Sequence, residues 1–504
     1  MSVQKDSNDY SSILKGAALF GGVQVFNILV NLVSGKLVAM LLGPEGMGIA
    51  SLFTASKNTI QQFTGLGLNI SSIQEISPAY ERQDVDCIHL VVSILRRLLY
   101  STALIGSIFS ILFCRYLSEL AFGNTDYKWH FALLSVAIFF TTLSNGELSI
   151  LQGMRSIKKL AFASVVGSST GLLVGVPMYY FLGYDGIVPA MIALSLATFA
   201  FYRYHTDRLV NLSGIVVQWR TMAPIAKKMI ALGVILMVSS LLCTLVQYIV
   251  NTFINRTGSL EDVGLFQAAN SITNQYVGLV FAAMGMDFYP RLSAVSSDND
   301  KVRQLVNQQT EIVMLIVAPM AILLIGTAPI LIRLLLTEKF LPLVPVIRWM
   351  GVGVVFKAVV FPMGYISFAK GDKKTFFWLE GIWGNLVMLC LNILFYYLWG
   401  IYGLGISFVA MYLLHLFVYV ILTNHLYQFR FTSASLKLLV RNLLLMFAAF
   451  GCSFFPPRVW SYSIIAFLFA LTSAFCIYDL NQRTEFWNKL RRKFFATECS
   501  ERVK

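Results

Sequence analysis

Fourteen stretches of this chain are apolar over roughly the twenty residues a helix needs to cross a hydrocarbon layer of about 30 Å. They lie near residues 12–42, 46–76, 87–113, 129–153, 160–182, 186–206, 229–254, 262–289, 306–336, 343–369, 375–399, 401–426, 438–456 and 460–479. Inside lipid every backbone N–H and C=O must find its partner within the protein, so runs of this length are expected as helices. The sequence therefore predicts an all-α polytopic membrane protein with 14 transmembrane helices. Composition agrees: 57% of residues are hydrophobic and 13% charged. The outer connections are short, the longest being near 114–128 and 336–342, so no soluble domain is expected to carry chemistry. The first run is too long for a signal-peptide core and lacks a small-residue cleavage pattern after it. It is read as a retained first helix.

A net charge of +14 would suit a nucleic-acid binder, but its placement points to topology. Numbering the connections alternately puts 29 Lys and Arg on one side and 7 on the other, with Lys36, Lys57 and Lys357 inside the spans. The positive-inside rule then places both termini in the cytoplasm. The seven cysteines are scattered without CxxC spacing or a nearby His cluster, so neither a disulfide framework nor a metal site is expected.

The chain also repeats. Glu45-Gly46-Met47-Gly48 aligns with Glu261-Asp262-Val263-Gly264 at an offset of 216, as do Asn58 with Asn274 and Asn31 with Gln247. Tyr179 to Gly186 aligns with Tyr396 to Gly403 at an offset of 217. Each copy holds six apolar runs and starts on the same side, so the expected arrangement is two six-helix bundles related by a pseudo-two-fold axis along the membrane normal, plus two C-terminal helices. The expected boundaries are 1–206, a cytoplasmic linker 207–228, 229–428, the two additional helices in 429–480, and a basic cytoplasmic tail 481–504. Duplication in a hydrophobic chain commonly puts a substrate site between the copies.

Polar side chains in lipid should face another helix or a watery cavity. Helix 2 carries Thr54, Asn58, Gln61, Gly65, Asn69 and Ser72 on one face, and helix 8 carries Gln267, Asn270, Asn274 and Gly278. Helix 1 adds Gln24, Asn27, Asn31 and Ser34; helix 7 adds Ser240, Thr244, Gln247 and Asn251. These four helices are equivalent pairs under the repeat and are expected to line one cavity; packing between helices is the alternative for any single stripe.

Buried cations need a counterion or an anionic ligand. Lys57, with no acidic residue at similar depth on its own helix, is the leading anion-binding candidate. Lys36 could snorkel to the outer interface, and Lys357 could pair with Glu380 on the next helix. The gapped glycine pairs at Gly65 and Gly67 and at Gly351 and Gly353 read as close helix packing, and His415 as a packed residue. No Walker A sequence is present, so ATP does not power this chain directly. No Ser/His/Asp constellation is visible, and the chain is not expected to be an enzyme.

Gly35-Lys36-Leu37, the turn Leu42-Gly43-Pro44-Glu45-Gly46-Met47-Gly48, Leu151-Gln152-Gly153 before Lys158-Lys159, and Ala369-Lys370-Gly371-Asp372-Lys373-Lys374 resemble the polysaccharide transporters of the MOP (MATE-like) superfamily, especially Wzx-type O-antigen flippases. The resemblance spans helices 1 to 12. It implies that an undecaprenyl-pyrophosphate-linked oligosaccharide is moved from the cytoplasmic to the periplasmic leaflet of a bacterial inner membrane by alternating access. Membrane lipids and the polysaccharide polymerase machinery are the implied partners, and no nucleic acid is expected. Lys57, with Lys36 and Lys357, would meet the pyrophosphate, and the amides Asn31, Asn58, Gln61, Gln247, Asn251, Asn270 and Asn274 would meet the sugars. The chain departs from related lipid-precursor flippases in having lone lysines where those carry an arginine cluster in the first two helices. No cofactor is expected; if H+ or Na+ drives transport, Glu147, Asp287 and Glu380 are the candidate carboxylates. A cation-coupled multidrug exporter on the same fold would want an acidic cavity, whereas the deepest charges here are positive. A polysaccharide polymerase or ligase would want a large outer loop.

Overall fold

The computed structural model describes residues 26, 28–210, 219–455 and 458–484. The start of the first expected helix, with Gln24 and Asn27, the middle of the expected linker at 211–218, and the tail from 485 lie outside the described residues, as does the side chain of Asp287, while the two ends of the expected linker are helical. Every regular element among the described residues is helical. Nine described helices are long and apolar enough to cross a membrane, or ten if one sharply bent pair counts as a single span. The protein is a polytopic membrane protein. Its residues group into two compact units, Met1–Gln267 with Leu334–Phe340, and Ala268–Arg333 with Leu341–Lys504.

The first unit begins with α1 (Ile28–Leu41), which turns by 119° into α2 (Gly43–Thr64). Gly43 takes a φ of 68° at this corner, a value that only glycine adopts without strain. Pro44 follows in the first turn of α2, where its missing N–H costs nothing and its fixed φ suits a helix start. The Leu-Gly-Pro-Glu-Gly turn is thus a helix corner.

The expected single helix over 46–76 needs correction. It is two helices, α2 and α3 (Leu68–Glu81), separated at Gly65 to Gly67. Gly67 sits at φ 61°, and a Cβ there would run into the carbonyl oxygen of Gly233. The glycine pair serves close packing, as its spacing suggests, and it also breaks the helix. The physical reason is that the backbone is pressed against a neighbouring backbone while the polar stripe continues across the break.

Next come α4 (Val85–Leu112), α5 (Cys114–Phe122), α6 (Lys128–Gly153), α7 (Ile157–Leu182), α8 (Ile187–Leu209) and α9 (Trp219–Thr257). Asp84 caps α4 by accepting a hydrogen bond from the backbone N–H of Cys87. Helix α6 is central, packing against α4 and α8, while α9 packs against α2 and α3. Their shared core holds Leu68, Ile76, Ile94, Leu95, Leu99, Leu143, Ile150 and Met229.

Helix α10 (Leu260–Ala294) starts in the first unit and continues into the second. Its N-terminal turn meets that of α2 reciprocally: a Cβ on Gly48 would strike the carbonyl of Leu260, and one on Gly264 would strike the carbonyl of Pro44. Leu260 and Gly264 are Pro44 and Gly48 displaced by 216 residues, and Ser51 lies 3.5 Å from its own equivalent Gln267. Repeat-related residues therefore meet each other, as they would about a local two-fold axis.

The second unit contains α11 (Asn299–Leu335), α12 (Val344–Ala369), the short α13 (Lys373–Phe376) running into a π-helical stretch (Phe377–Trp383) and α14 (Gly384–Trp399), α15 (Ile401–Tyr427), α16 (Ser433–Cys452) and α17 (Arg458–Thr484). One core joins α11 and α12 to α16 and α17 through Val317, Ala321, Ile325, Val352, Val355, Met446 and Ile465. A second core holds Phe288, Val306, Met363, Leu379 and Tyr419. Polar contacts also fix the last two helices. Glu311 on α11 pairs with Arg483 and accepts from Ser435, and Arg441 pairs with Asp479 at 2.6 Å.

Candidate functional site

Helix α2 carries the first part of the site. Lys57 lies fourteen residues after Gly43, about 21 Å along the axis at 1.5 Å per residue. It is half-buried and makes no hydrogen bond or ion pair among the described residues. One residue on, Asn58 enters the wall of a cavity of about 190 Å³ that is lined by Asn58, Gln61, Gln62, Gly65, Gly67, Asn69, Leu99, Thr142, Asn145 and Thr244. The lining contains five carboxamides and no carboxylate. A carboxamide offers both donors and acceptors, which suits a neutral polyol better than a cation.

The lining amides are only partly committed. Gln61 donates from Nε2 to the carbonyl of Ile138 at 3.3 Å, and Gln62 accepts from Ser240 at 3.4 Å. The break at Gly65 to Gly67 helps form this cavity, since Gly65 and Gly67 line it and the turn brings Asn69 into the same wall. Asn58, Gln61, Asn69 and Thr244 belonged to the expected stripes. Gln62, Thr142 and Asn145 did not, although the run Thr141-Thr142-Leu143-Ser144-Asn145 inside an apolar span is a visible signal of the same kind.

Other expected site residues have different surroundings. Gln247 donates to Asn251 at 3.2 Å, the buried Asn251 donates to Ser51 at 3.2 Å, and Ser51 approaches Gln267. This chain ties α9 to α2 and α10, so these two amides act as links between helices. Asn31 on α1 is exposed and lies outside the cavity lining. Asn270 and Asn274 fall in the second unit, half-buried and exposed respectively. Lys36 donates to the carbonyl of Leu334 at 2.5 Å, at the C-terminal end of α11, where unpaired carbonyls favour a cation.

Lys357 does not pair with Glu380. Its ammonium lies over the rings of Phe281 and Tyr412, 5.3 and 5.7 Å from the centroids, a cation–π arrangement. Glu380, on the π-helical stretch, instead accepts a hydrogen bond from the Tyr419 hydroxyl. His415 bonds through Nδ1 to the carbonyl of Met411 at 2.6 Å, a packed histidine.

Glu147 is held differently again. Arg96 makes two hydrogen bonds to it, at 2.8 and 2.9 Å, Arg203 adds a third at 3.0 Å, and Thr206 donates a fourth. Asp207 pairs in turn with both arginines at 2.8 Å. Arg96 and Arg203 are among the 29 basic residues counted on the cytoplasmic side, although the expected spans 87–113 and 186–206 contain them; they lie within α4 and α8, and Arg96 is buried. The carboxylates of this network explain how a guanidinium can sit there. Sequence spacing did not connect these residues because they come from three helices.

The model of a family described as "Polysaccharide biosynthesis protein" matches residues 37–345. A lipid III flippase from Escherichia coli (strain K12) is 23% identical over 384 residues, 75% of this chain and 90% of the relative. Among solved structures, the lipid II flippase MurJ in an inward closed conformation gives a TM-score of 0.69 at 16% identity, covering 92% of this chain and 99% of that one. An inward-facing multidrug resistance MATE family transporter of the MOP superfamily gives 0.68 at 17% identity, covering 84% and 99%.

Proposed function

The chain belongs to the polysaccharide biosynthesis protein family, and from that premise we propose that it is a flippase carrying an undecaprenyl-pyrophosphate-linked oligosaccharide from the cytoplasmic to the periplasmic leaflet. The observation that carries this reading is a pair of features on α2: Lys57, which has no counterion among the described residues and is not itself part of the cavity lining, and, from Asn58 onward, a cavity walled by carboxamides and free of carboxylates. An ammonium at membrane depth without an acidic partner is stabilised by an anionic ligand. Pyrophosphate supplies that charge, and the amides of Asn58, Gln61, Gln62, Asn69 and Asn145 exchange hydrogen bonds with sugar hydroxyls.

Shape alone separates flippase from drug exporter only weakly, because the MATE likeness has nearly the same TM-score, 0.68 against 0.69, over less of the chain, 84% against 92%. Charge separates them, since a pocket for cationic drugs would present carboxylates. The relative named a lipid III flippase supports a lipid-linked glycan as the substrate class. A volume of about 190 Å³ is below the usual ligand pocket of about 300–1,000 Å³, so the cavity in this state receives part of the head group, and the prenyl tail stays in lipid.

Fourteen crossings, two six-helix bundles with two further helices, and cytoplasmic termini belong to the same proposal. The reciprocal meeting of Gly48 and Gly264 supports its pseudo-two-fold. If an ion drives the cycle, Glu380 suits that role better than Glu147, because one neutral hydroxyl holds it while two guanidinium groups hold Glu147.

The test is thermal stabilisation of the purified protein by polyprenyl-pyrophosphate oligosaccharide and by a panel of cationic drugs, with glycan export followed in cells. Stabilisation by the anionic lipid that disappears in Lys57→Ala, together with lost export at normal membrane abundance, is the expected result. Stabilisation by cationic drugs alone, or full export by the variant, overturns the reading.

A further inference from the structure

The π-helical stretch in the second unit has a consequence away from the candidate cavity. A π turn takes more residues than an α turn and is concentrated at functional sites. Here it aligns side chains four and five apart: Lys374, Trp378 and Trp383 along one line, with Thr375 and Leu379 beside it. Facing them on α15 are Val418, Leu422 and Leu426, each four residues from the next. Together these residues wall a groove of about 420 Å³. It is open to the membrane: Trp378 is 54% and Leu426 45% exposed. Its walls are apolar along most of the length, and its mouth is basic.

The polar groups at the mouth are mostly committed. Asp372 accepts from the Thr375 hydroxyl at 2.7 Å, from the Thr375 N–H at 3.1 Å and from Tyr427 at 2.8 Å. The bonds from Thr375 hold its carboxyl below the ordinary aspartate range. Lys370 is used by the carbonyl of Ser296 and the side chain of Asn299, both at 2.7 Å. Lys373 and Lys374 are exposed, and their ammonium groups have no hydrogen-bond or ion-pair partner among the described residues. A largely apolar groove with the uncommitted ammonium of Lys374 in its wall and that of Lys373 one residue before it matches a lipid with a phosphate head.

We propose that this groove is a binding site for an anionic phospholipid of the leaflet on the Lys374 side, with its phosphate at Lys373 and Lys374 and one acyl chain lying against Trp378, Leu379, Trp383, Val418 and Leu422. Charge complementarity selects the head group, and the groove selects a chain-bearing molecule over a free phosphate. The site is independent of the flippase reading, because it uses neither Lys57 nor the amide cavity.

The experiment is native mass spectrometry of the intact detergent-purified protein, titrated with phosphatidylglycerol, phosphatidylcholine and soluble glycerol phosphate. One basic residue near an anionic surface is worth about 1 kcal/mol, or about fivefold in occupancy. Wild type is expected to prefer phosphatidylglycerol over phosphatidylcholine by about fivefold or more, with glycerol phosphate failing to compete. The Lys373→Ala, Lys374→Ala double variant should bring the two lipids close to equal. Leu422→Trp, which fills the groove while leaving both lysines, should lower occupancy by both lipids. Unchanged thermal melting in lipid-free detergent will show that each variant folds, and Leu422→Ala serves if the tryptophan does not. A preference that survives the double variant overturns the proposal, as does competition by glycerol phosphate or a Leu422→Trp profile identical to wild type.

Discussion

The Arg96–Glu147 network and the surroundings of Lys57 are two ways of keeping charge inside one helical unit. In the network, Glu147 receives four hydrogen bonds and Asp207 bridges both arginines. Its two positive and two negative charges sum to zero within the protein. Around Lys57 there is no such closure among the described residues. A closed network holds helices together and has little to offer a ligand. An open charge is costly until something binds it, so incomplete pairing, more than depth, distinguishes the residue that should meet substrate.

The largest effect expected from this contrast is on folding. Glu147→Ala leaves Arg96 and Arg203 with only the half-exposed Asp207 between them, and removing one partner of a buried ion pair costs about 3–5 kcal/mol. Yield of folded protein and thermal midpoint in detergent should both fall sharply, with transport lost as a consequence. Glu147→Gln keeps the shape and should fall in between. A Glu147→Gln protein that melts like wild type but no longer transports would reverse the assignment and make Glu147 an ion-coupling group.

Lys57→Ala should do the opposite. It removes a cation with no hydrogen-bond or ion-pair partner among the described residues, so the thermal midpoint should hold or rise slightly. Loss of a hydrogen bond to a charged group is worth about 1.5–3 kcal/mol, so glycan export should fall by about tenfold or more. A clear drop in melting temperature for Lys57→Ala would show that the lysine has a structural partner, and the contrast between the two regions would collapse.

What the sequence disclosed follows the same division. The helices were legible because lipid leaves the backbone almost no alternative and apolar length is visible residue by residue. The Asn58, Gln61 and Asn69 face was legible because polar residues in an apolar span stand out. The break between α2 and α3 was not, because Gly67 is pinned by Gly233, a contact between residues 166 positions apart. The roles of Gln247 and Asn251 were hidden too: a periodic stripe looks the same whether its amides line a cavity or join one another. The network around Arg96 was hidden because nothing local announces that Glu147 and Asp207 meet it.

A smaller effect is expected where the repeat-related turns touch. Gly48→Val places a side chain against the Leu260 carbonyl, and Gly264→Val one against the Pro44 carbonyl. Overpacking of this kind costs about 1–3 kcal/mol. Because the contacts are reciprocal, the two variants should lower the thermal midpoint by similar amounts and the double variant by less than their sum. Strictly additive losses would mean that the two glycines sit in separate contacts, and the local two-fold would lose its support.

The smallest effect should come from Lys357, which sharpens the contrast from the other side. Its ammonium lies over two aromatic faces, an arrangement worth about 0.5–2 kcal/mol, so it is neither closed by carboxylates nor wholly open. Methionine at this position keeps the length and apolar stem while removing the charge, and sulfur also packs well against aromatic rings. Lys357→Met should therefore shift the melting temperature only slightly and leave most glycan export intact, unlike Lys57→Ala. If export falls as far in Lys357→Met as in Lys57→Ala, aromatic faces do not satisfy a buried ammonium enough to remove it from ligand binding.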